Sequence, residues 1–539
     1  MSDPHHDART ITSPAELADL MRSESPHACL DLRERGAYER GHIFRATSLP
    51  RRLLEYRLPG LVTARRTPVV LYDEDGTLSE LARPTLARMG GSDVRVLAGG
   101  LAGWRAGGRP IAEGVNVPSK VFGERQLHER LTPQISPRDL HARMAAGADM
   151  VIVDARTPEE YVRGSIPGAW SVPGGELVLR IAELVRRETT TIVVHCGGRT
   201  RSYIGAESLR RMSLSNPVVA LENGTMGWEL AGLELERGAS RWAPPPSARS
   251  RALALRVAKR VAAEEGLRFI SRDELRRLRE RREEANVYVL DVRTAEEYAA
   301  GHIPHAIWAP GGQAVQATDD YIAVRAAALV FVCDGVARSV MTAAWFTRMG
   351  CPDVSVLAGG LPAWVDAGGA VETGHPAPAP FGYADARAQV KAIAPGPLPD
   401  ALILNVDQSD LYARGHVPGA AWICRSRLEP LVPAVAPDVR RPLIITCADG
   451  GSSTLAAATL LGIGYEAVQV LEGGTRAWEH AGLPVERGLT RLLDEPDDVV
   501  PKPYERGRAA MEAYLRWEEA LDLEGRSPHP LHPDAGPRR

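Results

Sequence analysis

The sequence predicts an α/β protein of four tandem domains, each a mostly parallel sheet flanked by helices, with a further helix towards the C-terminus. Three observations carry this. The chain has 539 residues, room for about three to five domains at roughly 100–200 residues apiece. A short apolar run ending in an acid or amide recurs at Asp31 (CLD), Asp154 (VIVD), Asp291 (VLD) and Asn405 (LILN). Each time a second apolar run ends 42 residues later, at Asp73, Cys196, Cys333 and Cys447. Tryptophans follow at Trp104, Trp228, Trp364 and Trp478, in LAGGLAGW, LENGTMGW, LAGGLPAW and LEGGTRAW, and a glycine closes each copy at Gly114, Gly238, Gly374 and Gly488. Fixed offsets of this kind mark an internal repeat. Within each copy, short apolar runs alternate with helical patterns, which implies parallel strands covered on both faces.

The copies span 8–117, 131–240, 266–376 and 382–490, and each reads as helix, strand, helix, strand, helix, strand, helix. The first helix starts at SPAEL, SPRDL and SRDEL, where Ser13, Ser136 and Ser271 are N-caps and Pro14 and Pro137 take the first helical position. VIVD and VYVLD are too short for helices and too apolar for sheet edges. Thr157 with Glu160, and Thr294 with Glu297, fit the capping box that starts a helix directly after that strand. Residues 115–130 show no clear period and read as a linker, as do APPPS at 243–247 and HPAPAPFGY at 375–383. Residues 500–525 read as an amphipathic helix whose Met511, Tyr514, Leu515 and Leu521 can dock on a neighbouring copy. The closing GRSPHPLHPDAGPRR has the composition of a disordered tail.

Composition narrows the function. A hydrophobic fraction of 44% fills ordinary cores, and a net charge of −3 gives no electrostatic reason to expect nucleic acid or an anionic membrane as partner. Lysine occurs only at 120, 259, 391 and 502, so arginine is the available donor for oxyanions. No apolar run reaches the roughly 18–20 residues of a membrane span, and MSDPHHDART lacks the parts of a signal peptide; a cytoplasmic location is expected. The six cysteines are scattered, with neither a disulfide framework nor zinc spacing. They are expected to be reduced thiols, with no metal and no cofactor.

Cys196, Cys333 and Cys447 lie where a strand hands over to a loop and then a helix, the end of a parallel sheet at which ligands bind. Backbone N–H groups of a tight glycine-containing loop and the positive end of the next helix both favour a thiolate. Arg201 and Arg338, each five residues after its cysteine, can close the loop over an anion, with Arg199 as a second donor in the second copy. Cys29, Cys351 and Cys424 have no such loop and read as core residues. His42, His302 and His416 recur in G-H-[IV], but Ser165 replaces the histidine in the second copy, so these are structural. The tryptophans read as packing anchors. His195, next to Cys196, has no counterpart at Val332 or Thr446.

The motif D-x-R-T-x-E-E-Y-x-x-G-x-I-P at Asp154–Pro167 and Asp291–Pro304, then a strand-end cysteine with a short loop, then G-G-x-x-x-W, resembles the rhodanese sulfurtransferases. The resemblance covers about four fifths of the chain. It implies four tandem rhodanese-like α/β domains in which the loop cysteine takes sulfane sulfur from a donor such as thiosulfate, becomes a persulfide, and passes the sulfur to cyanide, a thiol or a protein acceptor. Carried over, Cys196, Cys333 and Cys447 are nucleophiles. Gly197, Gly198, Arg199, Thr200 and Arg201 form one cradle, Asp334, Gly335, Val336, Ala337 and Arg338 another, and residues 448–452, with Gly450, Gly451 and Ser452, the third. The first copy has Asp73 for the nucleophile and Phe44 for the motif proline, so it is expected to be an inert, structural or docking copy. The fourth is partly degenerate: Asn405 and Asp407 replace the Asp and Arg, and Ser452 stands where Arg201 and Arg338 do. Two alternatives are weighed against this. A cysteine phosphatase or arsenate reductase needs arginine six residues after the cysteine, where this chain has Ser202, Ser339 and Ser453; a non-catalytic scaffold or persulfide carrier fits the first copy better than the intact loops. From loop charge alone, with Arg199 and Arg201 beside Cys196 and Asp334 opposing Arg338 beside Cys333, the second copy is expected to dominate turnover of a dianionic donor.

Overall fold

The computed structural model describes residues 10–375 and 379–521; the expected tail and the middle of HPAPAPFGY lie outside them. Each copy contributes five parallel strands of its own to its sheet. In the second copy the strands lie in the order Gln134–Ile135, Val218–Leu221, Thr191–His195, Met150–Asp154 and Trp170–Ser171. Its central register runs from Met150 opposite Thr191 to Asp154 opposite His195. This sets the ends of the two middle strands side by side, so Asp154 and Cys196 emerge at one edge. The middle strands are β-branched because both faces are covered: Ile192, Val193 and Val194 are each fully buried. The other copies repeat the order, with Ala328–Val332 beside Val287–Asp291 in the third and Leu443–Thr446 beside Leu402–Asn405 in the fourth.

The predicted helices and caps form. Ser136 and Ser271 accept the N–H groups of Asp139 and Glu274, and both capping boxes are closed. Two elements per copy go beyond the sequence reading. The outermost strands, such as Gln134–Ile135, Trp170–Ser171 and Arg268–Ile270, are two or three residues long, too short to leave any periodicity. The segment 115–130, read as a linker, holds a helix, Val117–Arg130. Its polar residues Lys120, Glu124 and Gln126 are buried along with Val117 and Phe122, which erases the apolar stripe by which a helix is recognised. A second unpredicted helix, Ala248–Glu264, follows APPPS and packs on Leu177–Leu184 and Ala337–Arg348.

The copies are gathered into two compact units, one holding the first and fourth, the other the second and third with the C-terminal helix. Each unit has reciprocal contacts at equivalent positions. In the first, Arg51 pairs with Glu429 and Arg425 with Glu55; each arginine lies 20 residues after its copy's anchor and each glutamate 24. In the second, Gln313 reaches Arg201 while Glu176 reaches Arg338. There Gly174 and Gly175 meet Gly311 and Gly312 so closely that a Cβ on Gly175 would stand 3.0 Å from the Gly311 nitrogen. Such reciprocity is the mark of an isologous pairing. The C-terminal helix, Arg508–Glu519, docks as expected through Met511 and Leu515, here against Met226 of the second copy. No helix among the described residues is long and apolar enough to cross a membrane.

Arg425 is buried and its guanidinium holds both Glu55 oxygens and the Arg52 carbonyl. Glu55→Ala leaves that cation without its carboxylate, so the unit of the first and fourth copies is expected to lose about 1–3 kcal/mol, measured as a lowered denaturant midpoint. An unchanged midpoint would show that the pair contributes nothing net.

Candidate active site at the strand-end loops

In every copy the loop after the second middle strand is pinned by a glycine from the next strand's turn. Gly100, Gly224, Gly360 and Gly474 all have φ between +55° and +63°. A Cβ on them would stand 2.6, 2.2, 2.3 and 2.1 Å from the carbonyl oxygens of Asp73, Cys196, Cys333 and Cys447. The residue after each glycine donates its N–H to that same carbonyl at 2.8 Å. Only glycine allows this approach, which is the physical content of the G-G-x-x-x-W motif. The tryptophans are buried or nearly so, with each indole N–H donating to a carbonyl six residues on.

The loop so held is a cradle for one anion. Around Cys447 the N–H groups of Gly450 and Ser453 point at Sγ, at 3.2 and 3.3 Å. A serine six residues on faces the thiol in each intact copy: Ser202 at 3.5 Å, Ser339 at 3.3 Å and Ser453 at 3.3 Å. The first copy contains an anion in the same place. The Asp73 carboxylate accepts the N–H groups of Leu78 and Ser79 and, at 2.6 Å, the Ser79 hydroxyl. These serines occur in all four copies, and sequence reasoning used them only to reject an arginine. Burial pushes the Cys333 thiol up, with Arg338 pulling it back; burial and then Asp407 push Cys447 up.

Arg201 and Arg338 border their loops, and both are paired. Arg201 holds Glu160 at 2.6 and 2.9 Å together with Gln313. Arg338 holds Glu297 at 2.6 and 2.7 Å, Glu176 at 2.7 Å and Asp334 at 2.8 Å. The capping-box glutamates therefore serve twice, closing a helix and orienting an arginine. Burial alone would raise the Glu160 and Glu297 carboxyls, but the adjacent guanidiniums hold both down at about 2. Arg199 departs from expectation. Its guanidinium turns away to Glu124 at 2.7 Å, Asn223 at 2.8 Å and Glu519 at 2.8 Å, drawn by carboxylates on the two helices that the sequence did not place beside it.

The surroundings of the three thiols differ. The loop of Cys196 is buried throughout, and the C-terminal helix lies over it. A Cβ on Gly198 would meet Met226, Glu518 and Tyr514 at 2.9, 3.4 and 3.5 Å, and Thr200 donates to Glu518 at 2.9 Å. At Cys333, by contrast, residues 334–337 are partly exposed, and a Cβ on Gly335 would meet nothing within 4 Å. At Cys447 the first copy's Tyr56 hydroxyl is 3.1 Å from Ser452 Oγ. His195 faces Asp154 at 3.7 Å and Ser165 at 3.4 Å, and burial keeps it neutral by lowering it to about 4. His42, His302 and His416 each stack on a tyrosine at 3.7 Å, as structural residues do. None of the six cysteines is in a disulfide, and no cluster able to hold a metal occurs among the described residues.

Two outcomes are expected. Met511→Asp with Leu515→Asp undocks the C-terminal helix, and iodoacetamide should then alkylate Cys196 faster by on the order of tenfold, with Cys333 as internal reference; an unchanged ratio would show that the helix does not cover the thiol. Burial and the neighbouring Asp449 raise the Asp407 carboxyl to about 7, against about 3.9 in an unfolded chain. The folded state therefore binds this proton more tightly, and stability falls as pH rises between those values. Asp407→Asn should raise the melting temperature at about pH 8 and not at about pH 4.

A family model described as a rhodanese-like domain matches residues 13–107, 136–231, 271–367 and 388–481, well over half of the chain. The SseB protein of Mycobacterium tuberculosis, named for thiosulfate sulfurtransfer, is 30% identical over 207 residues, covering 32% of this chain and 72% of its own. The thiosulfate sulfurtransferase GlpE of Stutzerimonas stutzeri is 35% identical over 80 residues, covering 15% and 72%. The crystal structure of a thiosulfate sulfurtransferase from Pseudomonas aeruginosa superposes with a TM-score of 0.89 at 38% identity, covering 96% of this chain and 97% of that one. With the cysteine cradle repeated at the same strand end and the family's domain matched in each copy, the chain belongs to the rhodanese-like family and carries four of its domains.

Proposed function

We propose that the protein moves sulfane sulfur from thiosulfate to cyanide or a thiol through a cysteine persulfide. The observation that carries this is the cradle itself: backbone N–H groups and a hydroxyl converge on one sulfur at Cys447, and in the first copy the corresponding serine N–H and hydroxyl, with the Leu78 N–H, hold the Asp73 carboxylate. In the first half-reaction the thiolate attacks the outer sulfur of thiosulfate, an S–S bond forms at Sγ, and sulfite leaves with the electron pair of the broken bond. In the second, cyanide or a thiolate attacks the outer sulfur of the persulfide, and the cysteine thiolate departs. No outside oxidant or reductant is needed, because the sulfane sulfur carries its oxidising equivalents from donor to acceptor. The cradle stabilises the anion present on the enzyme before and after each step. Membership of the family, together with relatives that are thiosulfate sulfurtransferases, makes the protein a sulfurtransferase; the persulfide and the acceptors are our reading. The first copy, with Asp73 in place of the loop thiol, takes no part in transfer through its own loop.

The geometry favours the opposite hierarchy to that expected from loop charge. Arg199 is engaged elsewhere, and the C-terminal helix closes the loop of Cys196, whereas Cys333 has an open loop beside Arg338. Cys333 is therefore the principal thiosulfate site in this arrangement. Cys333→Ser should remove most thiosulfate-to-cyanide turnover, and Cys196→Ser a minor part. Steady-state rates of the two variants, with intact mass after thiosulfate to detect the bound sulfur, decide it. A more damaging Cys196→Ser would restore the hierarchy of charge, and absence of sulfur on every loop cysteine would refute the persulfide.

A further inference from the structure

The fourth copy differs from the second and third at three positions around one loop. Arg156 and Arg293 lie two residues after the anchor in the second and third copies, and each is paired with it; the fourth has Asp407 there. Where Arg201 and Arg338 border the loop, the fourth has Ser452, and Asp449 stands within the loop. Asp407 takes the backbone N–H of Ala448, and Asp449 Oδ1 lies 3.8 Å from Sγ. The nucleophile and its cradle are nonetheless complete. The cations nearby do not restore the balance. Arg476 is exposed and 3.9 Å from the outer oxygen of Asp449, and Arg425 is engaged by Glu55 and the Arg52 carbonyl.

The first copy supplies what the loop lacks. Besides its contact with Ser452, the Tyr56 hydroxyl stands 3.2 Å from where a Cβ on Gly451 would be. Tyr56 lies 25 residues after Asp31; the corresponding residues are Leu179, Gln316 and Pro430, so the first copy alone offers a phenol at this position. An anionic donor would meet the Asp449 carboxylate and the Asp407 carboxyl there, and no guanidinium at the loop position that Arg201 and Arg338 occupy.

We propose, on the sulfurtransferase reading above, that Cys447 and Tyr56 form one composite site that takes sulfur from an uncharged or cationic thiol persulfide and discriminates against thiosulfate. The Cys447 thiolate attacks the outer sulfur of R–S–SH, the new S–S bond forms at Sγ, and the old one breaks with its electron pair leaving on R–S⁻. The proton stays on the transferred sulfur. Tyr56 presents a neutral hydroxyl at the loop where the second and third copies place a cation.

The test uses the full chain with Cys196→Ser and Cys333→Ser, so that Cys447 is the remaining loop thiol. The probes are the persulfides of cysteamine and of 3-mercaptopropionate, similar in size and opposite in charge, and thiosulfate. Sulfur gain at Cys447, followed by mass spectrometry with peptide mapping, should be about tenfold faster from the cysteamine persulfide than from either anion. Tyr56→Phe should slow that loading by about fivefold while leaving the melting temperature and the iodoacetamide reactivity of Cys447 unchanged, and Asp407→Asn should narrow the preference for the cationic carrier. Equal or faster loading from an anionic donor, no loading of Cys447 from any donor, or an unaffected Tyr56→Phe would each overturn the proposal. Loading of Cys333 in the unsubstituted chain separates the two readings: sulfur on Cys333 with none on Cys447 removes the composite site alone, and sulfur on neither removes both.

Discussion

One close crossing of backbone governs this molecule. A left-handed glycine at Gly100, Gly224, Gly360 and Gly474 lets the turn after one strand press on the carbonyl of the residue that ends the neighbouring strand. The N–H that follows is bonded to that carbonyl, which fixes the direction in which the next loop residues leave. Their own N–H groups are thereby aimed inward, at sulfur in the fourth copy and at carboxylate in the first. Any Cβ at the crossing would force the strands apart, since the clash is with backbone and no side chain can yield. The cradle is thus a property of the sheet and its turn, independent of which anion it holds.

Charge is then layered on that frame. Each loop arginine of the second and third copies is fixed by the glutamate that also closes the capping box of the preceding helix. An orienting carboxylate lowers the net positive field but holds the guanidinium in place, so that its remaining donors meet a substrate at little entropic cost. The reciprocal contacts extend this across each unit. Gln313 touches Arg201 and Glu176 touches Arg338, so the loop of either copy is completed by the other.

Divergence among the copies follows from that coupling. The first has exchanged its thiol for Asp73, whose carboxylate satisfies the cradle permanently, while its helix 54–61 carries Glu55 to the buried Arg425 and Tyr56 to the loop of Cys447. A copy without a nucleophile can therefore still shape the chemistry of its partner.

The anchor-to-cysteine spacing, the parallel sheets, the Ser and Thr caps and the three cysteine loops were all legible in the sequence, because each depends on residues close together in the chain or repeated at a fixed offset. The outer strands of two or three residues left no period, and the helix Val117–Arg130 hid because its buried face is partly polar. What only the tertiary structure decided is the surroundings of each thiol. Arg199 looked like a substrate donor until Glu124 and Glu519, 75 and 320 residues away, were brought against it. The cover over Cys196 and the phenol beside Cys447 likewise come from segments hundreds of residues distant. Local sequence specifies the cradle through backbone geometry; long-range packing specifies its electrostatics, because Coulomb interactions depend on distance in space and take no account of separation along the chain.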